Sequence, residues 1–88
     1  MNKKPKSQKR LDSKGAVVKE GDVVRLLRVS DNLLRGLELS DIAAINAQVN
    51  RTMNIEGFDQ YGNAELEFED ENGDFHSIWV STQDLKKI

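Results

Sequence analysis

The sequence predicts a mainly β domain of the α+β class, with one helical insert between early strands and a disordered basic N-terminal tail. Three observations predict it. From Thr52 onward the apolar period changes from 3.6 to 2, which marks strands. Asn72-Gly73, between two alternating runs, is the strongest hairpin signal in the chain. Before Thr52, Ile42, Ile45 and Val49 fall at i, i+3 and i+7, the single apolar stripe of a helix that packs on something. At 88 residues the chain has room for one domain with a small core.

The elements follow in order. Residues 1–14 hold one large apolar residue, Leu11, and cannot offset their own ordering entropy by burial, so they are expected to be a disordered tail. No apolar run follows their lysines, so a signal peptide is not expected. Ordered structure is expected over 15–88. Glu20-Gly21-Asp22 signals a turn, and Val23 to Val29 reads as a strand. Arg25 and Arg28 break its alternation, so cover on both faces in places is expected. Ser30 to Asn32 offers capping oxygens, Leu33-Leu34 one helical turn, and Gly36 its end.

The better helix lies near 40–50. Ser40 is the expected N-cap, with Asp41 at the positive end of the helix dipole. Leu39 stands outside as a possible staple, and Asn50 is placed to end the helix in a left-handed conformation. Thr52 to Phe58 then alternates around Met53 and Ile55, and Asp59 to Asn63 is a loop. Ala64, Leu66 and Phe68 alternate with Glu65, Glu67 and Glu69. Phe75 to Val80 is the partner strand. A short turn at Ser81 to Asp84 leads to a last strand at Leu85 to Ile88.

Two hairpin registers fit this pattern. A two-residue loop at Asn72-Gly73 sets Leu66 opposite Trp79 and puts Trp79 in the core. A three-residue loop with Gly73 as a bulge sets Leu66 opposite Ile78 and Phe68 opposite His76. Trp79 and Phe75 then stand outside with the glutamates. The second gives the more continuous apolar face and is preferred.

The order of strand (the short apolar run at Ala16-Val17-Val18), turn, strand, helical insert, strand, loop, strand, tight hairpin, strand, short 3₁₀ turn and terminal strand resembles an SH3-like small β-barrel. The likeness rests on Gly21-Asp22-Val23-Val24-Arg25-Leu26 and on the hairpin through Trp79-Val80 to Leu85 and Ile88. The spacing is similar to small bacterial barrel proteins without an assigned function, with a GDxVRL start and an NGxxHxIWV hairpin, over roughly residues 15–88. The resemblance implies a barrel. It implies no activity, because small barrels carry many functions.

Composition then excludes several functions. There is no cysteine, hence no disulfide, zinc–thiolate site or thiol chemistry. No apolar run is long enough to cross a membrane as a helix. His76, the single histidine, and Ser77 are strand neighbours that point to opposite faces, so they form no local dyad. His76 is expected to pair with Glu69 or pack in the sheet. Asp70, Asn72 and Asp74 match the first ligand positions of a calcium loop, but Phe75 stands where glycine is required. No phosphate-binding glycine motif is present. Neither an enzyme nor a cofactor or metal site is expected.

Charge is divided. Residues 1–20 carry seven Lys or Arg against Asp12 and Glu20, a net +5, and residues 21–88 carry −7. The expected working surface is acidic and aromatic: Tyr61, Glu65, Glu67, Glu69, Phe75 and Trp79. Such a surface suits a protein partner, in particular a basic or proline-containing peptide. The expectation is a small cytoplasmic, non-enzymatic binding module or accessory subunit. The alternative is a nucleic-acid-associated protein that makes contact through Lys3, Lys4, Lys6, Lys9 and Arg10. The tail alone would serve, since the acidic body repels phosphate.

Overall fold

The computed structural model describes residues 10–88. Within these residues, five antiparallel strands form one open sheet. They are β1 (Val23–Leu26), β2 (Thr52–Phe58), β3 (Ala64–Glu69), β4 (Phe75–Val80) and β5 (Leu85–Lys87), in the spatial order β4-β3-β2-β1-β5. Two short helices, α1 (Asp31–Leu34) and α2 (Leu39–Asn46), lie between β1 and β2. A 3₁₀ turn at Thr82–Asp84 joins β4 to β5. The mainly β class with a helical insert is therefore present. Closure into a barrel is not made by hydrogen bonding, because β4 and β5 are the two edges of the sheet.

β1 is shorter than its sequence suggests, and among the described residues no strand forms before it, where Val17 makes only an isolated bridge to Leu11. Val24 and Leu26 are fully buried on one face, while on the other Val23 is exposed and Arg25 half-buried, so cover of the second face is partial. After Leu26 the chain leaves the sheet, and the N–H of Leu27 donates to the carbonyl of Asp84 at 2.8 Å. In β2 the register shifts between Ile55 and Gly57. Residues 52–54 pair with β1, and Ile55, Gly57 and Phe58 pair with β3, leaving Glu56 as the bulged residue. This bulge lets one strand serve both halves of the sheet and bends it around the core.

The insert departs from expectation at its start. Ser30 caps α1 by accepting from the N–H of Leu33 at 3.2 Å. α2, however, begins after Glu38 and not after Ser40, and no side chain caps it. The N–H of Ile42 donates to the carbonyl of Glu38, which closes the first turn before Ser40 can cap it. Leu39, 82% exposed, makes no staple. Only Ile45 of the stripe is fully buried. α2 also stops at Asn46, short of the expected 40–50, with Ala47 as its right-handed C-cap, so Asn50 does not end the helix; it takes φ 74° in the turn that leads into β2.

The core gathers Val18, Val24, Leu26, Ile45, Ile55, Ala64, Leu66, Phe68, Ile78, Val80 and Leu85. It draws on every strand, so truncating one central member such as Leu66 costs about 2–5 kcal/mol. The tail boundary also moves. Residues 1–9 lie outside the described residues, whereas residues 10–14, expected to be disordered, belong to the fold. Leu11 bridges Val17, and the carboxylate of Asp12 is 2% exposed. It accepts from the backbone N–H groups of Lys14, Ala16 and Lys87 at 2.7–2.8 Å. Hydrogen bonds to a buried charge offset the ordering entropy that apolar content alone does not.

Candidate functional site

The site begins at a turn. The N–H of Gly73 donates to the carbonyl of Asp70 at 3.0 Å, and the N–H of Asp70 donates to the carbonyl of Asp74 at 2.9 Å. The Asp70 carboxylate accepts from the N–H groups of Asn72 and Asp74. Gly73 takes φ +86°, which an L side chain rarely adopts. The loop is thus three residues, 71–73, with glycine at its left-handed position. That geometry sets the register Leu66 opposite Ile78 and Phe68 opposite His76.

The register decides the outer face. Glu65 stands opposite Trp79, Glu67 opposite Ser77, and Glu69 opposite Phe75. Phe75 is 78% exposed and Trp79 43%. The hydroxyl of Ser77 donates to Glu65 at 2.8 Å and holds that carboxylate on the strand. Among the described residues, no Lys or Arg forms an ion pair with Glu65, Glu67 or Glu69. Phe75 and Trp79 are four positions apart on a strand, about 13 Å, and bracket the glutamate row.

Tyr61 lies apart from this row. It is 78% exposed in the loop before β3, at the Trp79 end of the hairpin. Asp59 shapes that loop by accepting from the N–H groups of Tyr61 and Asn63. Partial burial raises the Asp59 carboxyl, but the hydrogen bonds from Asn63, Tyr61 and Gly62 outweigh it and hold the group below the ordinary carboxylate range. Five of the six expected residues therefore share one face, and the sixth sits beside it.

The opposite face carries His76. Its ring stacks on Phe68 at 4.9 Å and 9°. Its Nε2 is 2.8 Å from Asp70 Oδ2, so the partner is Asp70 rather than Glu69. The contact with His76 is the main cause that lowers the Asp70 carboxyl below its ordinary value, helped by the N–H groups of Asp74 and Asn72. Ser77 points the other way, toward Glu65, so histidine and serine do not meet. Between α2 and the hairpin tip runs a polar cleft of about 820 Å³, lined by Ala44, Gln48 and Arg51 on one side and Asp70, Phe75 and His76 on the other. Among the described residues, no group of three or more His, Asp or Glu is placed to hold a metal ion, and no helix is long and apolar enough to cross a membrane.

Of the basic residues expected to touch nucleic acid, Lys3, Lys4, Lys6 and Lys9 lie outside the described residues. The Arg10 guanidinium lies over the Phe58 ring at 4.3 Å, as a packed part of the body. Sequence reasoning missed the structural role of Asp12. The turn-forming run Asp12-Ser13-Lys14-Gly15 was the available signal. Comparison with known protein families, curated proteins and solved structures finds no match to the chain.

Proposed function

We propose that the chain is a small, non-enzymatic, cytoplasmic module that binds a protein partner through the outer face of the β3–β4 hairpin. The single observation that carries this reading is the row of glutamates, without an ion-pair partner among the described residues, bracketed by two exposed aromatic rings. An extended peptide with Lys or Arg at alternate positions would meet carboxylates along the row and stack its stems on Phe75 and Trp79. The strand order, the shared and bulged β2, and the 3₁₀ turn before β5 support an SH3-like arrangement, in which small partners are held at the surface. The non-enzymatic reading is supported by the separation of His76 from Ser77 and by an Asp70 already engaged in its turn.

Titration of Trp79 fluorescence with a Lys-rich peptide tests it. A saturable change is expected at low salt and should weaken as the screening length falls to about 8 Å near physiological ionic strength. The reading fails if no saturation is reached at about 1 mM peptide, or if a Glu-rich peptide gives the same response.

A further inference from the structure

The two edges of the sheet are unlike. β5 is three residues long, carries Lys86 and Lys87, and lies beside residues 11–17: Ser13 donates to the carbonyl of Leu85, and Lys87 donates to Asp12. Short length, lysines and a covering segment are the usual protections of an edge strand. β4 is longer and carries no lysine, and among the described residues α1 packs near its Trp79–Val80 end. It runs for six residues, Phe-His-Ser-Ile-Trp-Val, without Lys, Arg, Asp, Glu, Pro or Gly, and pairs in unbroken register with β3.

The pairing pattern shows which groups β4 leaves free. Asp70 and Asp74 form a hydrogen-bonded pair, so by alternation Phe68–His76, Leu66–Ile78 and Ala64–Val80 do too. The N–H and C=O groups of Phe75, Ser77 and Trp79 therefore point to the free edge. Among the described residues, none of these three has a backbone hydrogen-bond partner there. The cleft by α2 adjoins Phe75 at one end of β4, and at the other end a groove of about 480 Å³ lies between α1 and Trp79 and Val80.

We propose that β4 pairs antiparallel with β4 of a second copy of this chain, about a two-fold axis at Ser77. The sequence of the edge is self-complementary in that register. Ser77 faces Ser77, and Phe75 of each copy faces Trp79 of the other. All three pairs are of edge-facing residues, so each exchanges two backbone hydrogen bonds, about six in total. The two exposed aromatics of one copy cover those of the other, a cross-strand contact that favours sheet pairing.

Charge does not oppose the pairing. The glutamates sit one strand back on β3, so the two rows lie about 14 Å apart across the joined sheet, beyond the screening length at physiological salt. Within β4 the one ionisable group is His76, which is on the other face and bonded to Asp70. A basic peptide is the less apt occupant of the edge itself, since an uncharged strand offers it nothing that a second copy does not. The proposal does not rest on the peptide reading above, but both use Phe75 and Trp79, so pairing and peptide compete for these rings.

Sedimentation equilibrium of the full chain, without peptide, tests it. A dimer is expected at about 100 µM, dissociating on dilution. Ser77→Pro should give a monomer of unchanged fold, because proline removes an N–H that faces the edge, and the hydroxyl lost with it makes only an exposed bond to Glu65. Should that variant not fold, Trp79→Lys, at a surface position, makes the same test, with native circular dichroism as control. A wild-type monomer at about 1 mM overturns the proposal. So does a dimer that survives both substitutions, or that survives Trp79→Lys where Ser77→Pro does not fold.

Discussion

The backbone N–H of Lys87 donates to the buried carboxylate of Asp12 at 2.7 Å, across 75 positions of sequence. The same carboxylate closes the turn at Lys14 and Ala16, so one acidic group ties the start of the fold to its last strand. Asp12→Ala leaves three partly buried backbone donors without their partner and should cost about 3 kcal/mol, read as a lower denaturation midpoint at unchanged m-value.

Acid should undo the same tie. Burial raises the Asp12 carboxyl, but hydrogen bonds from Lys87, Ala16, Lys14 and Gly15 outweigh it and hold the group below its ordinary 3.8. The unfolded chain therefore takes the proton first. The contribution of Asp12 is complete above pH 3.8 and is lost as pH falls through the lowered folded value. Asp70 follows the same sign through its contact with His76. The stability of Asp70→Asn should fall less steeply below pH 3.8 than that of the wild type, in thermal melts taken across that range.

Two glycines should respond differently to the same change. At Gly73 an added Cβ would meet only Glu69 at 3.6 Å, an ordinary contact, yet φ is +86°. Gly73→Ala should cost about 1 kcal/mol from backbone strain alone. Gly57 has no positive φ, and its Cβ would meet Glu65 at 3.8 Å. Gly57→Ala should be neutral or slightly stabilising in the same denaturation assay.

On the outer face, Glu67→Lys should weaken binding of a Lys-rich peptide about tenfold by reversing charge at the centre of the row. Tyr61→Ala, beside the row and not within it, should change affinity less than Trp79→Ala. Isothermal titration of the three variants orders them.

The hairpin was legible in the sequence because its determinants are local. Alternation from Ala64 to Glu69 and a glycine at position 73 locate it and leave two registers, and the continuity of the apolar face points to the one observed, which puts Phe75 and Trp79 outside. The start of α2 was less legible. Ser40 is a good cap, but the carbonyl of Glu38 closes a turn earlier, a choice set by how the insert meets the core rather than by propensity. Residues 10–14 were illegible for a different reason. Their stabilising partners, Lys87 and Leu85, lie more than seventy positions away, and a polar run with one leucine carries no local sign of them.

That distant clasp limits how far the sheet can grow. A sheet with two open edges adds copies without end and becomes a fibre. Here the turn around Asp12 occupies the β5 side, so a chain that joins through β4 has used its one available junction. Assembly through this strand is a closed reaction that stops at two. Cutting the clasp, as Asp12→Ala would, exposes the second junction and turns a self-limiting association into an open-ended one, visible as turbidity that rises with time and protein concentration.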